Sequence, residues 1–569
     1  MIMFCFLISV VFADRIAVID EPGECDSLYM VSGDVVPEGA NAWYDCRSDM
    51  LERFDGAKTE NYLARRHSIN FAPFKRSRCF RTPPVGWMTW YAVKFEASER
   101  MVLKNARDFM DKFAGYNDER PVLWVDWEWF HPHFKCDDEK GFDMFTPNRE
   151  TYPRGMKALS DDLRAMGFTP ALWVSPDNDV ATNAVWRAHP EWVLTVPKTN
   201  IWCGSTWGDP TAPGFCEEFV PSCFALYRSW GYDVFKWDTL PWLRKTMAEN
   251  PGVQHDPSVE PIAAVRKMVA AGRKALGDDC FLETCSGEWD DVNRAILDIA
   301  DSGRVGGDIF TWGTFIKWGV ERVLSYQPFN NIVFWPDGDN LVLREEFSTL
   351  AQARTRATIY SLAGIPITIG DEISALDDAR IDILRCTMPV VELRPASLSR
   401  GKLHGDLLRS RVDFHRPFGD WQVRAWSNLS TNNMRHAEFA APGSAVWDFW
   451  RDELLSADGG KFAFDVPPGD TRLLRVTPIA KGAPTLVSVS RHITQGGYEL
   501  EDYRVADGRV SGSVRCPGER PVTLTFLLPE GMKAVKSSHP YKLDGRILRL
   551  TVGKNEERGG VRWWLEFAF

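Results

Sequence analysis

The sequence is short of the residues that build metal and redox centres. Its 10 histidines and 12 cysteines form no Cys-x-x-Cys pair and no Cys/His ligand spacing. That excludes the common structural zinc patterns and the thioredoxin-like redox motif. The nearest approach is His131-Pro-His133 with Cys136 and Asp137, which reads as a loop, so neither a metal nor a cofactor is expected. The scattered cysteines give no disulfide framework, and Cys5 sits in an apolar leader. No later segment reaches the roughly 18 apolar residues of a membrane-spanning helix. No Gly-x-Gly-x-x-Gly follows the first strand, which counts against a dinucleotide fold. Positive charge is in deficit, with 67 Lys and Arg against 78 Asp and Glu for a net −11. A nucleic acid or an anionic membrane is therefore not the expected partner. Nothing in the sequence speaks to oligomeric state.

Tryptophan is in excess, with 24 residues. Most of these belong to core packing, while some suit stacking on sugar rings. Residues 1–13 form a short apolar run ending Val11-Phe12-Ala13, which reads as a signal peptide and implies a secreted or periplasmic protein. With 569 residues the chain needs roughly two to four domains. Residues 14–80 show no clear periodicity and read as a small β-rich or irregular segment.

From residue 81 to 395 strands and helices alternate. Apolar runs at 85–90, 121–127, 169–175, 233–236, 280–285, 302–308, 331–335 and 365–370 read as eight strands, each followed by a helical pattern. Eight such units predict an α/β fold, a (β/α)₈ barrel. After residue 395 short alternating strands and Gly, Pro and Asp turns predict an all-β sandwich region, divided near Lys481-Gly-Ala-Pro484 into units 396–480 and 481–569.

A parallel barrel carries its chemistry at the C-terminal strand ends. Here those ends offer Trp87 and Trp90, Asp126 and Glu128, Trp173 and Asp177, Lys236 and Asp238, Cys285 and Glu288, and Arg304 and Asp308. Glycoside hydrolysis needs two carboxyl groups, one to attack the sugar or activate water and one to protonate the leaving oxygen. Asp238 and Asp308, two strands apart, suit the roughly 5–5.5 Å separation of a retaining enzyme. Spacing alone leaves Asp126 with Glu128 open as a pair. It also leaves Lys236 and Asp238 open as a purely structural ion pair.

Six collinear segments, with two looser ones after them, carry a family resemblance. TPPVGWMTW (82–90) is similar to the opening of the barrel in the retaining α-galactosidase clan, glycoside hydrolase families 27 and 36. YPRGMKALSDDLRAMGFTPALWVSPD (152–177), HPEWVL (189–194), FKWD (235–238) and LETCSG (282–287) resemble family 36. GRVGGDI (303–309) resembles the acid/base segment of family 27. VFWPDGDNL and SLAGIPITIGDEI are looser likenesses. The resemblance implies a retaining exo-acting hydrolase of terminal α-galactosyl residues, with a carbohydrate substrate. Asp238 would be the nucleophile and Asp308 the general acid/base. Trp90, Asp126, Trp173, Lys236, Cys285 and Arg304 would bind substrate. The acid should be protonated, its pKa raised by burial and by Asp238. Two departures fall where substituents are read. Trp127 replaces the second of two adjacent aspartates, leaving Glu128 or Asp177 as a second acceptor, and Glu288-Trp-Asp-Asp291 replaces a glycine-rich run. These keep α-N-acetylgalactosaminidase and β-L-arabinopyranosidase activity open, alongside transglycosylation and a non-catalytic carbohydrate-binding barrel.

Overall fold

A computed structural model describes residues 15–18, 41–45, 48–67, 69, 79–130, 143–179, 183–197, 204–391, 393, 397–398, 407–518, 520–553 and 560–569. The expected signal peptide and the His131-Pro-His133 loop with Cys136 and Asp137 lie outside the described residues. Among the described residues no helix is long and apolar enough to cross a membrane, and no cluster of His, Cys, Asp and Glu is placed to hold a metal ion.

The chain forms a parallel eight-stranded barrel followed by antiparallel sheets. The barrel strands are β1 (Val85–Met88), β2 (Val122–Val125), β3 (Thr169–Val174), β4 (Val234–Trp237), β5 (Phe281–Cys285), β6 (Ser302–Arg304), β7 (Trp335–Asp337) and β8 (Ile367–Ile369). They pair in the order β8-β1-β2-β3-β4-β5-β6-β7. Strands covered on both faces read as continuous apolar runs, which is why most were visible in sequence. Two expectations need correction. The sixth strand ends at Arg304 rather than running to residue 308, so Asp308 sits on a loop four residues beyond it. The seventh lies at Trp335–Asp337 rather than 331–335. Ile332 and Val333 are buried, but in a turn, and Phe334 makes only an isolated bridge to Asn330, so their apolarity reflects packing rather than the barrel ladder.

β7 also breaks before it meets β8. Asp339 has φ +76°, and the chain then returns to extended pairing at Leu341. Leu341 N donates to Thr368 O at 2.8 Å, and Gly370 N donates to Leu341 O at 2.9 Å, which closes the ring.

Alternation along each strand positions the site, because successive side chains face opposite sides of the sheet. Inside, Val122, Trp124, Ala171, Val234, Phe281 and Trp335 pack together as an apolar floor. Two residues further along, the same faces present Asp126, Trp173, Lys236 and Glu283. Outside, Leu123, Val125, Leu172, Phe235, Trp237 and Leu282 join the core beneath the helices. An apolar plug thus passes into a polar mouth within one strand length.

A four-stranded antiparallel sheet, Arg15–Val18, Ala42–Asp45, Met50–Arg53 and Lys58–Glu60, precedes the barrel. After it, a six-stranded and a two-stranded sheet span Ser397–Pro478, and two four-stranded sheets span Thr485–Ala568.

Candidate active site

Asp238 follows β4, whose inner face turns from Val234 to Lys236 to Asp238. Its Oδ1 accepts from Thr239 N at 2.7 Å, and its Oδ2 from Trp173 Nε1 at 3.2 Å. Thr239 adopts φ +69°, a left-handed conformation rare for a β-branched residue, and such strain costs of order 1–3 kcal/mol. The cross-links below it maintain that conformation. Thr239 Oγ1 donates to Asp177 Oδ2 at 2.9 Å, and Trp237 Nε1 donates to Asp177 Oδ1 at 2.8 Å. Asp177 is fully buried with both oxygens engaged, so it braces the turn and is not a free acceptor at the mouth. Burial raises the pKa of Asp238. The Lys236 charge and the bonds from Thr239 and Trp173 oppose that rise, while Asp126 adds to it.

Asp308 follows β6. Its Oδ1 accepts from Arg304 Nη2 at 2.9 Å, and its Oδ2 from Trp90 Nε1 at 3.1 Å. The Gly306-Gly307 pair before it is a packing requirement. A Cβ on Gly306 would lie 2.0 Å from Trp318 O, and the Trp318 ring packs against Gly307. The expected raised pKa is not found, since the Asp308 carboxyl sits below its ordinary value. Burial is the largest single influence and acts upward. The charges of Arg304 and Lys236 and the bonds from Trp90 and Arg304 together outweigh it. The shorter β6 places Asp308 on the following loop beside the buried Arg304 guanidinium, which faces its carboxylate directly.

Lys236 Nζ donates to Asp126 Oδ2 at 3.0 Å, with both side chains 4% exposed. Asp126 N donates to Thr89 Oγ1 at 3.0 Å, while Asp126 Oδ1 accepts from Trp127 N at 3.0 Å. Thr89 Oγ1 in turn donates to Glu128 Oε2 at 3.1 Å. Glu128 is buried, and burial followed by the neighbouring Asp126 charge pushes its pKa well up. Cys285 stands in register with Arg304. Burial, then the Asp238 charge, raises its thiol well above the usual value, so it remains a neutral group in the mouth. The structure therefore brings all eight expected residues, Trp90, Asp126, Trp173, Lys236, Asp238, Cys285, Arg304 and Asp308, to one end of the barrel.

The two departures resolve into structure. Trp127 is buried, its ring 6.0 Å from Trp90 and 5.4 Å from Phe95. In the altered loop, Asp290 pairs with Arg322 and accepts from Tyr326 Oη at 2.5 Å, and Asp291 pairs with Arg244 at 2.7 Å.

Sequence reasoning missed Asp339, Tyr91, Asp337 and Glu283. Arg304 Nη2 reaches Asp339 Oδ2 at 2.8 Å, Ile309 N donates to the same oxygen at 3.0 Å, and Tyr91 Oη donates to it as well. The sequence signals were the Asp337-Gly-Asp339 segment inside one of the looser likenesses and Glu283 inside LETCSG.

A family model described as Melibiase matches residues 60–301. The chain is 22% identical over 439 residues to an α-galactosidase of Cyamopsis tetragonoloba, covering 74% of this chain and 91% of that one. It is 20% identical over 429 residues to an α-galactosidase of Oryza sativa subsp. japonica, covering 70% and 85%. Its fold matches a family 27 β-L-arabinopyranosidase from Geobacillus stearothermophilus with TM-score 0.56 and 18% identity, over 70% of this chain and 98% of that one. The barrel, its carboxylate-lined mouth and these matches define a glycoside hydrolase. Within that class, the proteins it is similar to are α-galactosidases.

Proposed function

We propose that the chain removes terminal α-galactosyl residues from oligosaccharides or glycans by double displacement, with Asp238 as nucleophile and Asp308 as general acid/base. The observation that carries this reading is the matched support of the two carboxylates. Each follows an inward-facing cation two or four residues earlier, and each accepts an indole N–H, from Trp173 or from Trp90. In the first step Asp238 attacks the anomeric carbon, and the departing oxygen takes the proton of Asp308. In the second, Asp308 removes a proton from water as that water displaces Asp238 and restores the free carboxylate. The Trp173 indole stabilises Asp238 whenever it is ionised, before attack and after release.

Asp126, Lys236 and Arg304 hold ring hydroxyls through charge-assisted hydrogen bonds, and Cys285 fills the mouth between them. Galactose is ranked above β-L-arabinopyranose because Asp126, Lys236 and Arg304 match the positions that hold it in the resembled family. It is ranked above N-acetylgalactosamine because the loop acids Asp290 and Asp291 are already paired with Arg322 and Arg244. Within the clan, the Lys-Trp-Asp and Glu-x-Cys-Ser-Gly segments favour family 36, and the Arg-x-x-Gly-Asp-Ile segment favours family 27.

The test is kcat/KM on the nitrophenyl α-galactoside, α-N-acetylgalactosaminide and β-L-arabinopyranoside. The α-galactoside should lead. A preference for either rival above about 100-fold, or roughly 2.7 kcal/mol, overturns the choice of sugar.

A further inference from the structure

One guanidinium nitrogen serves two carboxylates at this site. Arg304 Nη2 lies 2.9 Å from Asp308 Oδ1 and 2.8 Å from Asp339 Oδ2. The second carboxylate is also tied to the acid's own loop, because Ile309 N, one residue past Asp308, donates to Asp339 Oδ2 at 3.0 Å. Asp339 is 2% exposed, whereas Asp308 opens to the mouth. Its left-handed backbone, at the break between β7 and β8, sets it in the same network as Arg304.

We propose that Asp339 is a positioning residue for the acid/base step, forming with Asp308 a single proton-holding pair bridged by Arg304. This inference rests on Asp308 being the acid/base. With one proton in the pair there are two arrangements of equal charge. Either Asp339 is the carboxylic acid and Asp308 the carboxylate, or the reverse, and only the second can protonate a leaving oxygen.

Burial pushes Asp339 up to about 7, against the opposing charge of Arg304, while Asp308 is held below its ordinary value. The first arrangement therefore predominates, and the second is a minor but constant fraction of the singly protonated pair. That fraction persists until the pH passes the range of Asp339. Without Asp339, protonated Asp308 would disappear at the much lower pH set by Arg304 alone.

Other charged groups face the pair from every side. Tyr91, Asp337 and Glu283 bear on Asp339 within the barrel, and Arg356 and Tyr360 bear on it from the helix Leu350–Ala363. Lys236 and Cys285 bear on Asp308. Of these, Tyr91 donates directly to Asp339 and so favours its ionised form.

The experiment measures kcat/KM against pH for the wild type, D339N, D339E, Y91F and D308A, on methyl α-galactoside and on nitrophenyl α-galactoside. D339N should move the alkaline limb on the methyl glycoside down by at least about one pH unit, and D339E should restore part of it. Y91F should move the same limb up, because Asp339 then holds its proton more firmly. A folded D339N with the limb unmoved, or a Y91F limb that moves down, overturns the inference. Should D339N fail to fold, the direction of the Y91F shift decides. D308A separates the two levels of the argument. If it lowers activity on both glycosides equally, the acid/base reading fails and the inference fails with it. If it spares the nitrophenyl glycoside, that reading stands and the D339N and Y91F limbs judge the pair alone.

Discussion

Lys236 and Asp126 form a closed ion pair of 3.0 Å between β4 and the end of β2, with each side chain 4% exposed. Two groups assigned to sugar hydroxyls are thus already oriented by each other before any sugar arrives. Breaking one member of a buried pair leaves an uncompensated charge, at a cost of about 3–5 kcal/mol. Lys236→Met should therefore lower stability by that order in urea unfolding. The double variant Lys236→Met/Asp126→Asn should lose distinctly less than the sum of the two single changes. Strict additivity would show that the pair is not coupled.

Trp173 supplies the indole N–H to Asp238 Oδ2. Hydrogen bonds to charged groups contribute about 1.5–3 kcal/mol, so Trp173→Phe should lower kcat/KM on α-galactosides by about 10–100-fold. Losing a donor to the carboxylate raises the Asp238 pKa, and the acid limb should move to higher pH. A fall in kcat/KM with the acid limb unmoved would mean that Trp173 acts by packing alone.

The pH dependence of stability follows from buried carboxyls outside the reacting pair. Burial pushes Glu499 up to about 7, Asp177 up to about 7 and Asp301 up to about 6. The folded state therefore keeps protons that the unfolded chain releases near its ordinary values of 3.8 and 4.5. Their contribution is complete below those values and is lost as pH rises through about 7. Tm should be higher near about pH 5 than near about pH 8. Glu499→Gln cannot ionise and should shrink that fall by roughly 2 °C or more. An equal or larger fall in Glu499→Gln contradicts the assignment.

How far the sequence could be read depended on what each residue's position relied upon. β2 and β4 were plain because strands covered on both faces leave apolar runs, and their alternation carried Asp126 and Lys236 to the mouth. β7 was misplaced because Ile332, Val333 and Phe334 are apolar for the sake of packing ahead of the strand. Asp339 stayed hidden because its role depends on a positive φ and on where Leu341 rejoins β8, neither of which has a local signature. The raised pKa expected for Asp308 failed for a related reason. Arg304 was visible four residues earlier, but not that β6 stops there and leaves the two side chains facing each other at an open mouth.

The central claim is a double displacement with Asp238 as nucleophile, and the stereochemistry of the first product tests it most directly. Proton NMR of nitrophenyl α-galactoside hydrolysis should show α-galactose appearing first and the β anomer growing only by mutarotation. Asp238→Asn should give no release in the same experiment. Initial formation of β-galactose would contradict the account, because it requires water, rather than Asp238, to attack the sugar.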